Sequence, residues 1–143
     1  MIDIEHIASI SLNSASEIVD RAIAAATESR LAICIAVVDR AGHPLVFKRM
    51  PGAPLHSIEI AQDKAYTAVS FGRTTADWDR RLAKGSEMLR HGLLQRERFV
   101  PFGGGVPIKH EGVCVGAIGI SGGTEAQDVE LANAALAVPE AGG

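Results

Sequence analysis

The 143-residue sequence predicts an α+β fold, an antiparallel sheet with helices on one or both faces. Three observations predict it. Two pairs of strand-like apolar runs are each joined by a short turn containing glycine, and helical spacing of apolar residues precedes, separates and follows these pairs. Neighbouring runs also lack the helical crossover that a doubly wound parallel sheet needs. The length suits one domain with its own core.

The first element is a helix over Ser14–Ser29, where Ala15, Ile18, Val19, Ala22, Ile23 and Ala26 keep three-and-four spacing and Asn13 or Ser14 offers a cap. "LAICIAVVD" follows, apolar at successive positions, as a strand covered on both sides would be. The turn at Ala41-Gly42 leads into a second strand, Pro44–Met50. After the breakers Pro51-Gly52-Ala53-Pro54, "HSIEIAQDKAYTAVSFG" reads as a helix that stops at Gly72; its alanine-rich stripe predicts close approach to the sheet. Thr74 or Thr75 then caps one or two short helices, with breaks expected at Gly85 and Gly92. Gly105–His110 and Gly112–Ser121 form a second hairpin across Glu111-Gly112, and Thr124–Ala137 a last helix with Val129, Ala132, Ala135 and Leu136 inward. The tail "PEAGG" is expected to fray.

Hydrophobic residues make up 47%, charged residues 22%, and the net charge is −3, a composition that excludes a disordered or fibrous chain. Basic residues are scattered, so nucleic acid is not expected as a partner. No run is long enough to span a membrane and the start lacks the pattern of a secretion signal, which makes the cytoplasm the expected location. Cys34 and Cys114 sit in apolar runs without metal-ligand spacing and read as buried thiols.

The glycines cluster in "FGGGVPIKHEGVCVGAIGISGG", which matches neither a phosphate loop nor a dinucleotide fingerprint. Gly116, Gly119 and Gly122 leave a strand poor in side chains. That space takes either a closely packed helix, the reading the sequence favours, or a ligand. Ser121-Gly122-Gly123-Thr124 precedes a helix, where free N–H groups suit an anion; an ordinary cap by Thr124, with Glu125 and Asp128 complementing the dipole, is the alternative. Lys64 lies at the margin of its helix's apolar face and either snorkels to water or points inward at a ligand carboxylate. His56 opens the same helix.

"IAVVDRAGHPLVFKRM", "SIEIAQDKAYTAVSFGRTT" and "GGGVPIKHEGVCVGAIGISGGTEAQDVELANAAL", in that order, resemble the GlcG/HbpS-like haem-binding family, which includes the C-terminal domain of PduO-type proteins. The likeness runs from Ile18 to Leu136. It implies a profilin-like fold, a five-stranded antiparallel sheet flanked by helices in α/β/α layers, assembled into homo-oligomers. It also implies a small-molecule ligand, haem or a related tetrapyrrole, in a glycine-lined pocket. The matched positions for that pocket are Lys64 and Thr67, the turn from Phe71 to Thr75, the loop of Gly103, Gly104, Gly105 and Pro107, and the turn of Ser121, Gly122 and Gly123 with Gln127 and Asp128. His56 and His6 are the candidate axial ligands. Members of the family are commonly encoded in catabolic operons.

A second reading is a cofactor-independent enzyme of lyase, isomerase or hydrolase type, acting on a small aromatic or carboxylated metabolite. Lys64 and helix-start N–H groups would stabilise an oxyanion or enolate while His56 or Asp128 moves a proton. A structural subunit is the third.

Overall fold

A computed structural model describes residues 1–137, so the Pro139–Gly143 tail lies outside the described residues. The elements run α1 (Leu12–Glu28), β1 (Cys34–Asp39), β2 (Pro44–Arg49), α2 (His56–Phe71), α3 (Asp77–Lys84), α4 (Glu87–Leu94), β3 (Gly105–His110), β4 (Val113–Ser121) and α5 (Glu125–Leu136). All strand pairs are antiparallel, in the order β2-β1-β4-β3. Among the described residues no helix is long and apolar enough to cross a membrane.

Local chemistry explains most boundaries. Ser11 caps α1 by accepting from the Ser14 N–H, so the helix begins earlier than the expected Asn13 or Ser14 cap. Asp39 closes the first hairpin through one carboxylate oxygen, which accepts from the N–H groups of Ala41 and His43, each at 2.9 Å. The second hairpin turns on Glu111 and Gly112, both with positive φ, as a two-residue turn matched to strand twist requires. Gly72 ends α2 in the left-handed conformation, as read from the sequence.

The middle segment departs from expectation in two ways. The break at Gly85 is present, but Gly92 lies inside α4 on an exposed side, where it lowers helix propensity without stopping the helix. The cap position of α3 is Ala76, and neither Thr74 nor Thr75 caps it. Thr75 is fully buried, and its hydroxyl accepts from the Gly105 N–H at 2.8 Å while its own N–H donates to the Gly105 carbonyl at 3.0 Å. This clasp draws the glycine loop towards α2.

Among the described residues the sheet has four strands, not the five the resemblance implies. Between α4 and β3 the chain runs along α2 instead of pairing. There the Thr67 hydroxyl donates to the Arg98 carbonyl at 2.8 Å and accepts from the Val100 N–H at 3.1 Å, so these backbone groups are satisfied without a ladder.

Three layers result. Ile35, Val37, Ile118 and Ile120 face α1 and α5, where Ala15, Val19, Ala22, Leu131, Ala132 and Ala135 meet them. Ala36, Val38 and Ala117 face Ala65, Ala68 and Val69 of α2. The favoured reading of the strand glycines holds at Gly119: a Cβ there would run into the Ala61 carbonyl of α2, so helix and sheet touch backbone to backbone. On α5 the buried face is Asp128, Leu131, Ala132 and Ala135, while Val129 is half-buried. Cys34 is buried and Cys114 half-buried, and both are free thiols.

Candidate functional site

Lys64 points inward. It is 1% exposed, and its Nζ donates to the Ile120 carbonyl at 2.8 Å and to Asp128 Oδ2 at 3.0 Å, where Asp128 is itself 3% exposed. The other Asp128 oxygen accepts from the Gly123 N–H at 2.9 Å. One lysine therefore joins α2 to β4 and to the first turn of α5. Burial lowers the Lys64 pKa and raises that of Asp128, and in each case the partner's charge opposes the shift. The carboxylate that Lys64 meets belongs to the protein, which settles the choice between snorkelling and an inward course without requiring a ligand.

The two glycine bends do meet around this lysine, but the hollow between them is filled. A Cβ on Gly104, whose φ is +131°, would stand 2.6 Å from Lys64 Nζ, and one on Gly105 would meet the backbone of Lys64. The Gly103 N–H donates to Glu125 Oε1 at 2.8 Å. Phe102 lies over the lysine, with its ring centroid 5.2 Å from Nζ. At the second bend, Ser121 is buried and donates to the Ser57 hydroxyl, and a Cβ on Gly122 would strike Ala32. Gln127 completes a capping box: its side chain accepts from the Thr124 N–H at 2.9 Å, and its N–H donates to the Thr124 hydroxyl at 3.2 Å. The expected glycine-lined pocket over Gly103, Gly104, Gly105, Ser121, Gly122 and Gly123 is thus a packed junction. The helix-start donors of Gly123, Thr124 and Gln127 are taken by the chain's own side chains.

Pro107 sits buried in β3, opposite Ala117 on an end strand, where a missing N–H is tolerated. His56 is exposed beside Leu55, Ile58 and Glu59 at the start of α2, and His6 is exposed on the N-terminal arm. The structure brings together Lys64 and Asp128. It does not bring either histidine to them.

An open cleft exists elsewhere, at the C-terminal end of α2. It has a volume of about 300 Å³, and its walls include Tyr66, Thr67, Phe71, Leu93, Arg96 and Phe99, with Glu97 and Arg98 beside them. Phe71, Trp78 and Phe99 form an edge-to-face trio with centroids 4.8, 5.0 and 6.0 Å apart. Arg98 has a φ of +65°, a conformation that costs a non-glycine residue about 1–3 kcal/mol and persists only where its surroundings hold it. Three contacts hold it. Its Nε donates to Asp63 at 2.8 Å, its guanidinium stacks 3.8 Å from the Tyr66 ring centroid, and its carbonyl accepts from Thr67.

Of the pocket residues named from the sequence, Thr67 and Phe71 line this cleft. Tyr66, Arg96, Arg98 and Phe99 also line it and were not named from the sequence. Tyr66 and Arg98 lie 32 residues apart in sequence, and nothing in "QRERF" marks a left-handed arginine folded back on α2.

Residues 10–137 match the family described as haem degrading protein HbpS-like. The chain is 36% identical over 132 residues to an uncharacterized 15.0 kDa protein of the dhaT-dhaS intergenic region in Citrobacter freundii, covering 92% of this chain and 93% of that one. It is 33% identical over 129 residues to the corrinoid adenosyltransferase PduO of Citrobacter freundii, covering 90% of this chain but only 38% of that protein's length. Among solved structures, the PduOC:heme complex superposes with a TM-score of 0.84 at 30% identity, over 94% of this chain and 97% of that one.

Proposed function

The chain belongs to the HbpS-like family, and on that premise we propose that it binds haem or a related tetrapyrrole in the cleft at the C-terminal end of α2. The observation that carries the reading is the match, over nearly its whole length, to a relative solved as a haem complex. The residues of the cleft fit such a group. Phe71, Phe99 and Leu93 supply apolar and aromatic wall for a flat macrocycle, Arg96 and Arg98 supply cations for its carboxylates, and the Tyr66 phenol is of a type that can hold haem iron. Its volume of about 300 Å³ is at the low end of ligand sites, which suits partial rather than full enclosure. When bound, haem would supply a redox-active iron whose potential depends on the axial ligand and on burial. The chain's own part is positional: Thr67 pins the Arg98–Val100 backbone, and Asp63 holds the Arg98 guanidinium against Tyr66. We also take the protein to work as a homo-oligomer.

Titration of the purified protein with hemin tests this. A saturable Soret shift is expected, together with quenching of the single tryptophan, Trp78, which contacts Phe71 and Phe99. Tyr66→Phe is expected to move the band and Arg96→Gln to weaken binding several-fold, whereas His6→Ala and His56→Ala leave both unchanged. A spectrum matching hemin mixed with an unrelated protein would remove the proposal. A band altered by a histidine variant and not by Tyr66→Phe would move the axial ligand to that histidine.

A further inference from the structure

On α1, Ser14, Ile18 and Arg21 follow one another at intervals of four and three, so they share one face of the helix. Arg21 is half-buried there, and its Nε donates to the Ala135 carbonyl at the end of α5 at 2.9 Å. That bond caps α5 and fixes the guanidinium, but it uses Nε alone. Among the described residues neither terminal nitrogen of Arg21 has a hydrogen-bond partner, and Glu17, one turn earlier, makes no ion pair with it.

This face lines a cleft of about 440 Å³ between α1, β3 and the segment before α1, a volume within the range of small-molecule sites and larger than that of the cleft behind Thr67. Ile18, Ile108 and Val115, none more than 9% exposed, give it an apolar floor. Lys109 adds a second cation at its rim. The wall is held by backbone bonds: Val115 is an extra residue of β4 that pairs with neither neighbouring strand, and its carbonyl accepts from the Ile10 N–H at 2.9 Å, while the Ser9 hydroxyl accepts from the Arg40 N–H at 3.0 Å. The first turn of α1, which meets the cleft at Ser11 and Ser14, holds no acid, so the charge around the cleft favours an anion.

We propose that this cleft is a second small-molecule site, separate from the one behind Thr67, and that it takes an amphiphilic monocarboxylate. The apolar body, alkyl or aryl, covers Ile18, Ile108 and Val115, and the carboxylate meets the terminal nitrogens of Arg21. A guanidinium anchored at Nε and open at its other two nitrogens matches a carboxylate through two parallel hydrogen bonds. A neutral apolar molecule forgoes that ion pair and a short carboxylate forgoes the floor, so affinity needs both halves of the ligand.

The test is titration of the isotope-labelled full-length chain with sodium octanoate, read from amide shifts in nuclear magnetic resonance spectra. Saturable shifts are expected at Ile18, Arg21, Ile108 and Val115, with half-saturation at about 1 mM or below, while the amides of Tyr66 and Phe99 stay in place. Acetate and octanol bind at least about tenfold more weakly. Arg21→Gln weakens octanoate at least about fivefold and leaves octanol unchanged, which separates lost carboxylate recognition from a loosened end of α5. Lys109→Gln, on an exposed side chain that the fold does not need, weakens octanoate about twofold. Phenylacetate run in parallel distinguishes an aryl from an alkyl body, the tighter of the two naming the ligand's class. No saturation by about 20 mM, or shifts confined to the cleft behind Thr67, would overturn the site. Octanol binding as tightly as octanoate, or octanoate binding undiminished in Arg21→Gln, would overturn the carboxylate's place on Arg21.

Discussion

Lys64→Met tests the buried junction most directly, because methionine keeps much of the side-chain length and removes the charge. In the parent, Nζ satisfies the Ile120 carbonyl and Asp128 Oδ2, and Asp128 also accepts from the Gly123 N–H, with the Gly122 N–H beside it. The variant leaves a buried carboxylate with backbone donors and no counter-charge, and an orphaned carbonyl. Removing one member of a buried ion pair costs roughly 3–5 kcal/mol. For a chain of this size that corresponds to a fall in melting temperature of about 6–20 °C. Urea unfolding gives the loss from the midpoint, provided the slope is unchanged. The companion variant is Lys64→Met with Asp128→Leu. It removes both charges, and although Ile120 and Gly123 remain unpartnered, it should lose at least about 2 kcal/mol less than the two single losses summed. A Lys64→Met loss below about 1 kcal/mol, or single effects that add within about 0.5 kcal/mol, would refute the pair as the fastener of α2, β4 and α5.

Two further outcomes follow from the same region. Gly119→Ala would drive a methyl into the Ala61 carbonyl, so α2 must lift from the sheet, and a loss of about 1–3 kcal/mol or more is expected by urea unfolding; a neutral result would mean the helix and sheet are not in backbone contact. As for pH, Lys64 is held below its ordinary pKa by burial, so between its folded and ordinary values the unfolded chain binds more protons and this group makes stability rise with pH. Asp128 is raised by burial, so between its ordinary and folded values the folded chain binds more protons and this group makes stability fall as pH rises. Nuclear magnetic resonance titration of the two side chains checks both directions, and a Lys64 that titrates like an exposed lysine would contradict them.

Elements were legible where the signal is local. Gly72, the pair Glu111-Gly112 and the alanine stripe of α2 each act within a turn or two, and the structure places a helix stop, a hairpin and a close helix approach where they stand. The middle segment was less legible. Thr75 has the side chain of a helix cap, and only the arrival of Gly105 from 30 residues away gives its hydroxyl a different partner. Gly103, Gly104, Gly105 and Ser121 to Gly123 were named as the lining of a pocket through the family resemblance, but a missing side chain does not say what fills the space. Lys64 fills it here.

The order of helices and strands, the two hairpins and the family likeness came from the sequence, because periodicity, turn residues and motif order are properties of neighbouring positions. Which way Lys64 points, that Arg98 folds onto Tyr66, that the sheet has four strands among the described residues and that an open cleft lies behind Thr67 while the space between the glycine bends is filled were decided by tertiary structure. Each depends on groups distant in the chain competing for the same hydrogen bond or the same volume, and that competition is resolved only when the layers pack.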